Sequence, residues 1–180
     1  MARKLKYDIE RAIKEWQTVV KGPAKSRIIK KIPGNNAVWG QIQTDKAGHS
    51  CYGEPIFGEA TDYVELRSEW KGTVFEQILN DYNAYCARFR IMPPNTTLAV
   101  HTDGWTPSLY VYMFPILTNK DSFFIVQTED KSASFTHAWD AWHHPADGSV
   151  YKTRYDIPHA AMNGGTTPKV NLQFRSKDDL

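Results

Sequence analysis

From residue 87 onward the chain reads as a succession of short strands. Apolar or alternating runs fall near 87–92, 97–103, 108–116, 122–128, 132–137, 149–155 and 168–175, with no helical intervals between them. Seven short strands at such close spacing argue for an antiparallel sandwich or a jelly-roll barrel. The sequence Asn163-Gly164-Gly165-Thr166-Thr167-Pro168 marks a turn between the last two strands.

The first 86 residues have a different character. Ile9, Ile13, Trp16 and Val20 recur at helical spacing, so Tyr7 to Val20 is expected to form an amphipathic helix, ended by Gly22-Pro23. A second helix opens at Thr73-Val-Phe-Glu76, which has the form of a capping box, and Phe75, Ile78, Leu79, Tyr82 and Tyr85 follow at spacings of three and four. Between them, residues 24–60 offer one or two short strands around the turn signal Pro33-Gly34-Asn35-Asn36. The expected architecture is mainly β, with N-terminal helices backing one sheet. At 180 residues it is read as a single domain: an N-terminal part, 1–86, packed on a β core, 87–175.

Charge and cysteine content narrow the function classes. Net charge is only +2, but residues 1–31 carry +7 and the remainder −5. A basic arm can attract nucleic acid, yet this one lacks the interleaved aromatics of a single-strand-binding surface and reads as a solvated helix face. No apolar run is long enough to span a bilayer, and MARKLKYDIE has no apolar core like that of a signal peptide. Cys51 and Cys86 are the two cysteines, and free thiols in a cytoplasmic protein are the expectation. His49, in DKAGHSCYGEP, reads as a solvated loop histidine.

The segment ARFRIMPPNTTLAVHTDGWTPSLYVY, residues 87–112, carries the chemistry. Residues two apart in an extended chain share a face, so His101 and Asp103 point together into one space. That pair supplies two of the three donors of a two-histidine, one-carboxylate metal site, and His159, in YDIPHAAMN, is the candidate third. His-x-Asp alone is poor evidence: six histidines and twelve aspartates in this chain give roughly 0.4 such pairs by chance. The context adds weight, since the pair ends an apolar run and precedes a glycine.

The phrases RFRIMPP…HTD and YDIPHAAMNGGTTPKVNLQF together resemble the iron(II)/2-oxoglutarate oxygenases, with the similarity closest to the aspartyl/asparaginyl β-hydroxylase-like branch. The resemblance covers residues 86–175, about half of the chain. It implies a double-stranded β-helix, the cupin-like jelly roll, holding Fe(II) through His101, Asp103 and His159, with 2-oxoglutarate chelating the metal. The family usually lays the far carboxylate of that cosubstrate against an arginine, whereas this sequence has Lys169 ten residues after His159. Lysine offers a point charge where arginine offers a bidentate fork. Arg175 shares a strand face with Lys169 and is the fallback; Arg90 is a second candidate. Arg88 and Arg90 share one face of their strand, which either meets solvent or lines the pocket. Ser108 and Tyr110 are candidate hydrogen-bond donors to the cosubstrate, although Tyr110 reads first as a buried residue of the β core.

The reaction so implied consumes O2, decarboxylates 2-oxoglutarate to succinate and CO2, and hydroxylates a C–H bond of a protein side chain, amino acid or small metabolite. Trp105, Trp139, Trp142 and His143 are candidates for a substrate-facing lid, and Asn163 for a substrate contact or a turn stabiliser. Two rival readings remain open. One is a cupin-like binding or structural module without turnover. The other is a different metal enzyme built on FTHAWDAWHHPADG, whose His137, Asp140 and His144 would share a face if the segment were helical.

Overall fold

The computed structural model describes residues 6–25, 29–31, 38–50, 58–103, 108–128 and 138–180. In chain order its regular elements begin with α1 (Ile9–Lys21), β1 (Ile29–Lys31), β2 (Val38–Gln41), β3 (Gln43–Thr44) and β4 (Glu65–Leu66). Then come α2 (Val74–Asp81), β5 (Ala84–Met92), β6 (Thr96–His101), β7 (Tyr110–Leu117) and β8 (Ser122–Thr128). β9 (Ala138–Trp142), β10 (Tyr151–Arg154), β11 (His159–Asn163) and β12 (Lys169–Ser176) complete it, with short 3₁₀ turns at 60–62, 68–70 and 177–179.

The strands form a six-stranded sheet in the order β1-β2-β5-β12-β7-β10 and a four-stranded sheet in the order β6-β11-β8-β9, with β3-β4 as a separate pair. Every pairing is antiparallel. Met92, Val111 and Met113 from the larger sheet meet Phe124, Val126 and Ala161 from the smaller one in a single buried cluster. Two antiparallel sheets closed face to face in this way are a jelly roll, as expected.

The other face of the large sheet is covered by helices. Phe89, Phe114, Val170, Leu172 and Phe174 pack with Val74, Phe75, Ile78 and Leu79 of α2 and with Ala12 of α1. Trp70, Phe75 and Phe89 form an aromatic knot with ring centroids 4.7–5.4 Å apart. Asp8 caps α1 by accepting from the Arg11 amide, and Glu15 of α1 accepts from the Val74 amide at 2.8 Å, which ties one helix to the start of the other. The expected capping box at α2 is offset by one residue. Thr73 Oγ1 accepts from the Glu76 amide, but the Glu76 carboxylate reaches back to the Gly72 amide at 2.6 Å.

Tyr82 and Tyr85 are not helical, contrary to the spacing argument. The helix stops at Asp81, Asn83 turns the chain with φ 45°, and Tyr85 belongs to β5. Before α1, the Tyr7 amide donates to the Gly148 carbonyl at 2.8 Å, and a Cβ on Gly148 would sit 2.2 Å from the Tyr7 carbonyl oxygen. Only glycine, here at φ 83°, lets the two backbones approach so closely.

Six of the seven expected strands recur with shifted ends; the expected strand 132–137 and the turn signal at 33–36 lie outside the described residues. Three strands were not anticipated: the short β4, and β9 and β11. The sequences of β9 and β11, AWDAW and HAAMN, are poor in β-branched residues; each is held as strand by pairing with β8. Cys86 is disulfide-bonded, which corrects the expectation of free thiols and removes one argument for a reducing compartment; Cys51 lies outside the described residues. No helix among the described residues is long and apolar enough to cross a membrane.

Candidate metal centre

His101 ends β6 and His159 begins β11, and the two are direct cross-strand partners. Reaching that pairing requires a bulge. Ala161 pairs with Leu98, so regular register would set Val100, not His101, opposite His159. One extra residue in β6 brings His101 round instead, and Val100 is left 58% exposed. Asp103 is fixed just beyond the strand by its amide, which donates to the Tyr155 carbonyl at 2.8 Å.

The donor atoms converge. One ligand atom from each of His101, Asp103 and His159 lies within 4.8 Å of the others, and this is the cluster of metal-binding geometry found among the described residues. The His101 and His159 ring centroids are 4.4 Å apart, and His101 Nε2 is 3.6 Å from Asp103 Oδ1. Each imidazole is oriented from behind. Nδ1 of His101 lies 2.7 Å from the Ala99 carbonyl and Nδ1 of His159 lies 2.9 Å from the Ile157 carbonyl. A carbonyl only accepts, so both Nδ1 atoms carry the proton and both Nε2 atoms present bare lone pairs.

His159 is fully buried, and its Nε2 has no hydrogen-bond partner among the described residues. Burial also depresses its basicity, which keeps the ring neutral and able to ligate. An orphaned buried lone pair facing a carboxylate and a second imidazole suits a divalent cation, and two nitrogens and one oxygen on one side leave the remaining positions open.

Around this centre the large sheet presents a cationic wall. Arg88, Arg90, Lys169, Asn171, Gln173 and Arg175 are all buried, alternating with the apolar residues that face the helices. Register aligns them: Arg90 pairs with Asn171, Arg88 with Gln173, and Met92 with Lys169. The arginines of β5 therefore face the interior between the sheets and do not meet solvent. Nε and Nη2 of Arg90, Oδ1 of Asn171 and Oε1 of Gln173 have no hydrogen-bond partner among the described residues. Burial, followed by the charge of Arg90, pulls the Lys169 ammonium down to about 7; its Nζ donates to the Phe123 carbonyl at 3.3 Å.

Arg175 is placed differently from Lys169 although it shares the face. Its Nη1 donates to the Ser108 and Tyr110 carbonyls and its Nη2 is 4.0 Å from Asp103 Oδ2, so it steadies the carboxylate ligand. A second bulge makes this possible. Cys86, at φ 57°, is the extra residue of β5, and it sets Tyr85 opposite Arg175.

Several expected contacts are not made. Tyr110 shares the face of Tyr112 beneath the Lys152 ammonium, because Val111 and Met113 take the inward positions of β7. Ser108 Oγ closes a local turn with the Tyr110 backbone. Asn163 sits at the far end of β11 from His159, roughly 13 Å of extended chain away. There it donates to the carbonyls of Met92, Pro93 and Thr167 and accepts from Asn119, Ser122 and Gly165, a turn clamp with no capacity left for substrate.

Trp139 pairs with Gln127 on the face turned away from Phe124 and Val126, and His143 Nδ1 bonds the Ser122 carbonyl at the start of β8. Neither lines the pocket. Residues 138–142 are strand, so the helical face imagined for Asp140 and His144 does not form. His144 stacks on Tyr151 and is held well below its usual basicity, at about 4, by burial. Trp105 and His137 lie outside the described residues. His49 is half-exposed and pairs with Asp45 at 3.0 Å.

The sequence reading missed Tyr155. Its ring centroid is 4.1 Å from that of His159, its carbonyl holds Asp103, and its hydroxyl accepts from Gln173 Nε2 at 3.2 Å. Burial pushes that hydroxyl up to about 12, so it stays protonated. No local motif marks it. Asn171 and Gln173, by contrast, follow from two-residue alternation between Lys169 and Arg175.

No family model matches this chain, and no curated protein matches it. Among solved structures, an oxidoreductase of the 2OG-Fe(II) oxygenase family from Burkholderia pseudomallei aligns over 96% of this chain and 91% of its own, at 12% identity with a TM-score of 0.56. A cupin domain from Bordetella pertussis covers 52% of this chain and 81% of its own, at 15% identity and 0.35. A predicted oxalate decarboxylase from Thermotoga maritima covers 83% and 92%, at 13% identity and 0.39. At these identities the likeness concerns the fold: this chain is a mainly β jelly roll whose two sheets enclose a His-Asp-His cluster able to hold a metal ion.

Proposed function

We propose that the protein is an iron(II)- and 2-oxoglutarate-dependent dioxygenase that hydroxylates a C–H bond, of the aspartyl/asparaginyl β-hydroxylase-like branch. The observation that carries this reading is the convergence of His101, Asp103 and His159 within 4.8 Å beside a wall of buried cationic side chains. When bound, Fe(II) supplies the redox chemistry by which 2-oxoglutarate is decarboxylated and O2 is activated.

The chain's own residues do the rest. The Ala99 and Ile157 carbonyls hold the two imidazoles in the ligating tautomer. The Tyr155 carbonyl and Arg175 fix Asp103 from two sides. Lys169 and Arg90, buried side by side, receive the far carboxylate of 2-oxoglutarate, and its arrival restores the Lys169 proton that burial disfavours. Asn171 offers a further polar contact. Met92, Phe124 and Tyr155 exclude water from the interior.

The test is anaerobic titration with Fe(II) and 2-oxoglutarate. The weak visible charge-transfer band of a chelated oxo acid should appear in the wild type and vanish in His159→Ala. Absence of the band, together with no thermal stabilisation by metal plus 2-oxoglutarate, would point to a cupin-like binding module instead.

A further inference from the structure

A charged residue stands on the inner face of the small sheet, where alternation calls for an apolar one. β9 is an edge strand, and its Asp140 pairs with Val126, which pairs in turn with His159, itself the partner of His101. Residues directly opposite one another in adjacent strands project from the same face. Val126 lies in the cluster buried between the sheets, so Asp140 is turned to that interior as well. One row across the sheet therefore reads His101, His159, Val126, Asp140: two candidate metal ligands, an apolar spacer and a carboxylate. At about 4.8 Å per strand, Asp140 stands about 10 Å from His159. It is exposed at the rim and forms no hydrogen bond or ion pair among the described residues.

The surroundings of that carboxylate suit a cation with an apolar tail. Trp142, two residues on and so on the same face, pairs with Phe124 and leaves its indole 42% exposed. A carboxylate beside an exposed indole attracts an ammonium both by charge and by the ring quadrupole. Across the sandwich, Thr153 of β10 pairs with Val111, which shares the buried cluster with Val126, so Thr153 also faces the interior. It is 3% exposed, and its hydroxyl has no hydrogen-bond partner among the described residues. β9 and β10 are the outermost strands of their sheets, and His144 joins them through ring contacts with Trp142 and Tyr151. β7 separates this side from β12 and β5, which carry Lys169 and Arg90. The interior is cationic where the cosubstrate is seated and acidic at the opposite edge.

We propose that the β9–β10 edge seats the primary substrate, and that this substrate is an alkyl ammonium whose nitrogen is received by Asp140 while its chain lies over Val126 toward the metal. Once the metal–ligand and ion-pair distances at the two ends are taken off, an alkyl chain of about five carbons spans the remaining sheet. The C–H bond presented to the metal is then the one far from the nitrogen. Opposite charges at the two seats keep substrate and cosubstrate from exchanging places. This rests on the oxygenase reading above, and it narrows the substrate from any C–H donor to a cationic amine.

The experiment uses the full chain loaded with Mn(II) and the inert analogue N-oxalylglycine, whose joint binding is read first by thermal shift. n-Pentylammonium and 1-pentanol, alike in length and different in charge, are then compared by the relaxation that bound Mn(II) imposes on their protons. The ammonium should be relaxed where the alcohol is not, its methyl end more strongly than the methylene beside nitrogen, and Asp140→Asn should weaken its binding roughly tenfold or more. If Mn(II) and N-oxalylglycine give no shift in the wild type, the oxygenase reading fails and the amine falls with it. Suppose instead that the shift is present but the two probes act alike, or the nitrogen end lies nearer the metal, or Asp140→Asn binds pentylammonium as the wild type does. The oxygenase reading then stands and the amine is overturned, leaving Asp140 as a charge that deters pairing at a free sheet edge. The comparison of the two probes needs no variant, so a poorly folding Asp140→Asn protein does not rescue the proposal.

Discussion

The two faces of β5 and β12 use alternate residues of the same backbone for opposite ends. Phe89, Leu172 and Phe174 point outward beneath the helices into a dry apolar core, while Arg88, Arg90, Asn171 and Gln173 point inward, and among the described residues polar atoms of Arg90, Asn171 and Gln173 have no hydrogen-bond partner. Burial of large apolar groups stabilises the sheet, at roughly 25 cal/mol per Å² removed from water. Burial of unpaired polar and charged groups opposes it. A sheet with such an inner face persists because its outer face is well packed, and the inner face is arranged for a ligand.

That contrast can be broken experimentally. The largest stability effect should come from the outer face: Phe89→Ala, in the knot with Trp70 and Phe75, should cost about 3–5 kcal/mol by denaturant unfolding. On the inner face, His159→Ala should abolish the thermal stabilisation given by Fe(II) or Mn(II) yet leave a folded protein, as judged by circular dichroism. Arg90→Met should leave the metal-free protein at least as stable as the wild type while weakening 2-oxoglutarate at least tenfold; an equal loss of stability and affinity would dissolve the distinction between the faces.

A pH experiment sharpens it further. Lys169 has a folded-state pKa near 7, depressed from its unfolded value by burial, so between about pH 7 and 10 the unfolded chain binds more protons at this site. The stability of the unliganded protein should therefore rise with pH across that window through this group, and Lys169→Met should flatten the rise. Affinity for 2-oxoglutarate should move the opposite way, falling as pH climbs above 7, because the anion needs the protonated ammonium. The smallest effect is expected at Trp139, on the outer side of the small sheet: Trp139→Ala should change stability by no more than about 0.5 kcal/mol and leave cosubstrate affinity alone.

Much of the site was legible before the fold was known, because two-residue alternation is a local property. It placed His101 with Asp103, Arg88 with Arg90, and Lys169 with Arg175. Alternation says which residues share a face and not which face is inside, and Tyr110, named as a cosubstrate contact, lies on the outer face of β7. The 138–144 segment misled for another reason. A dense run of histidine and tryptophan suggested a second metal site or a lid, yet hydrogen bonding to β8 makes residues 138–142 an edge strand.

What the sequence alone determined is the set of partners: an antiparallel β core, two backing helices, and an acid with two imidazoles from distant segments. Tertiary structure decided which of them meet. The extra residue in β6 swings His101 inward in place of Val100, and the one in β5, at Cys86, aligns Tyr85 with Arg175. A bulge shifts register by one residue and so exchanges the faces of everything beyond it, and its position depends on pairing between strands far apart in the chain.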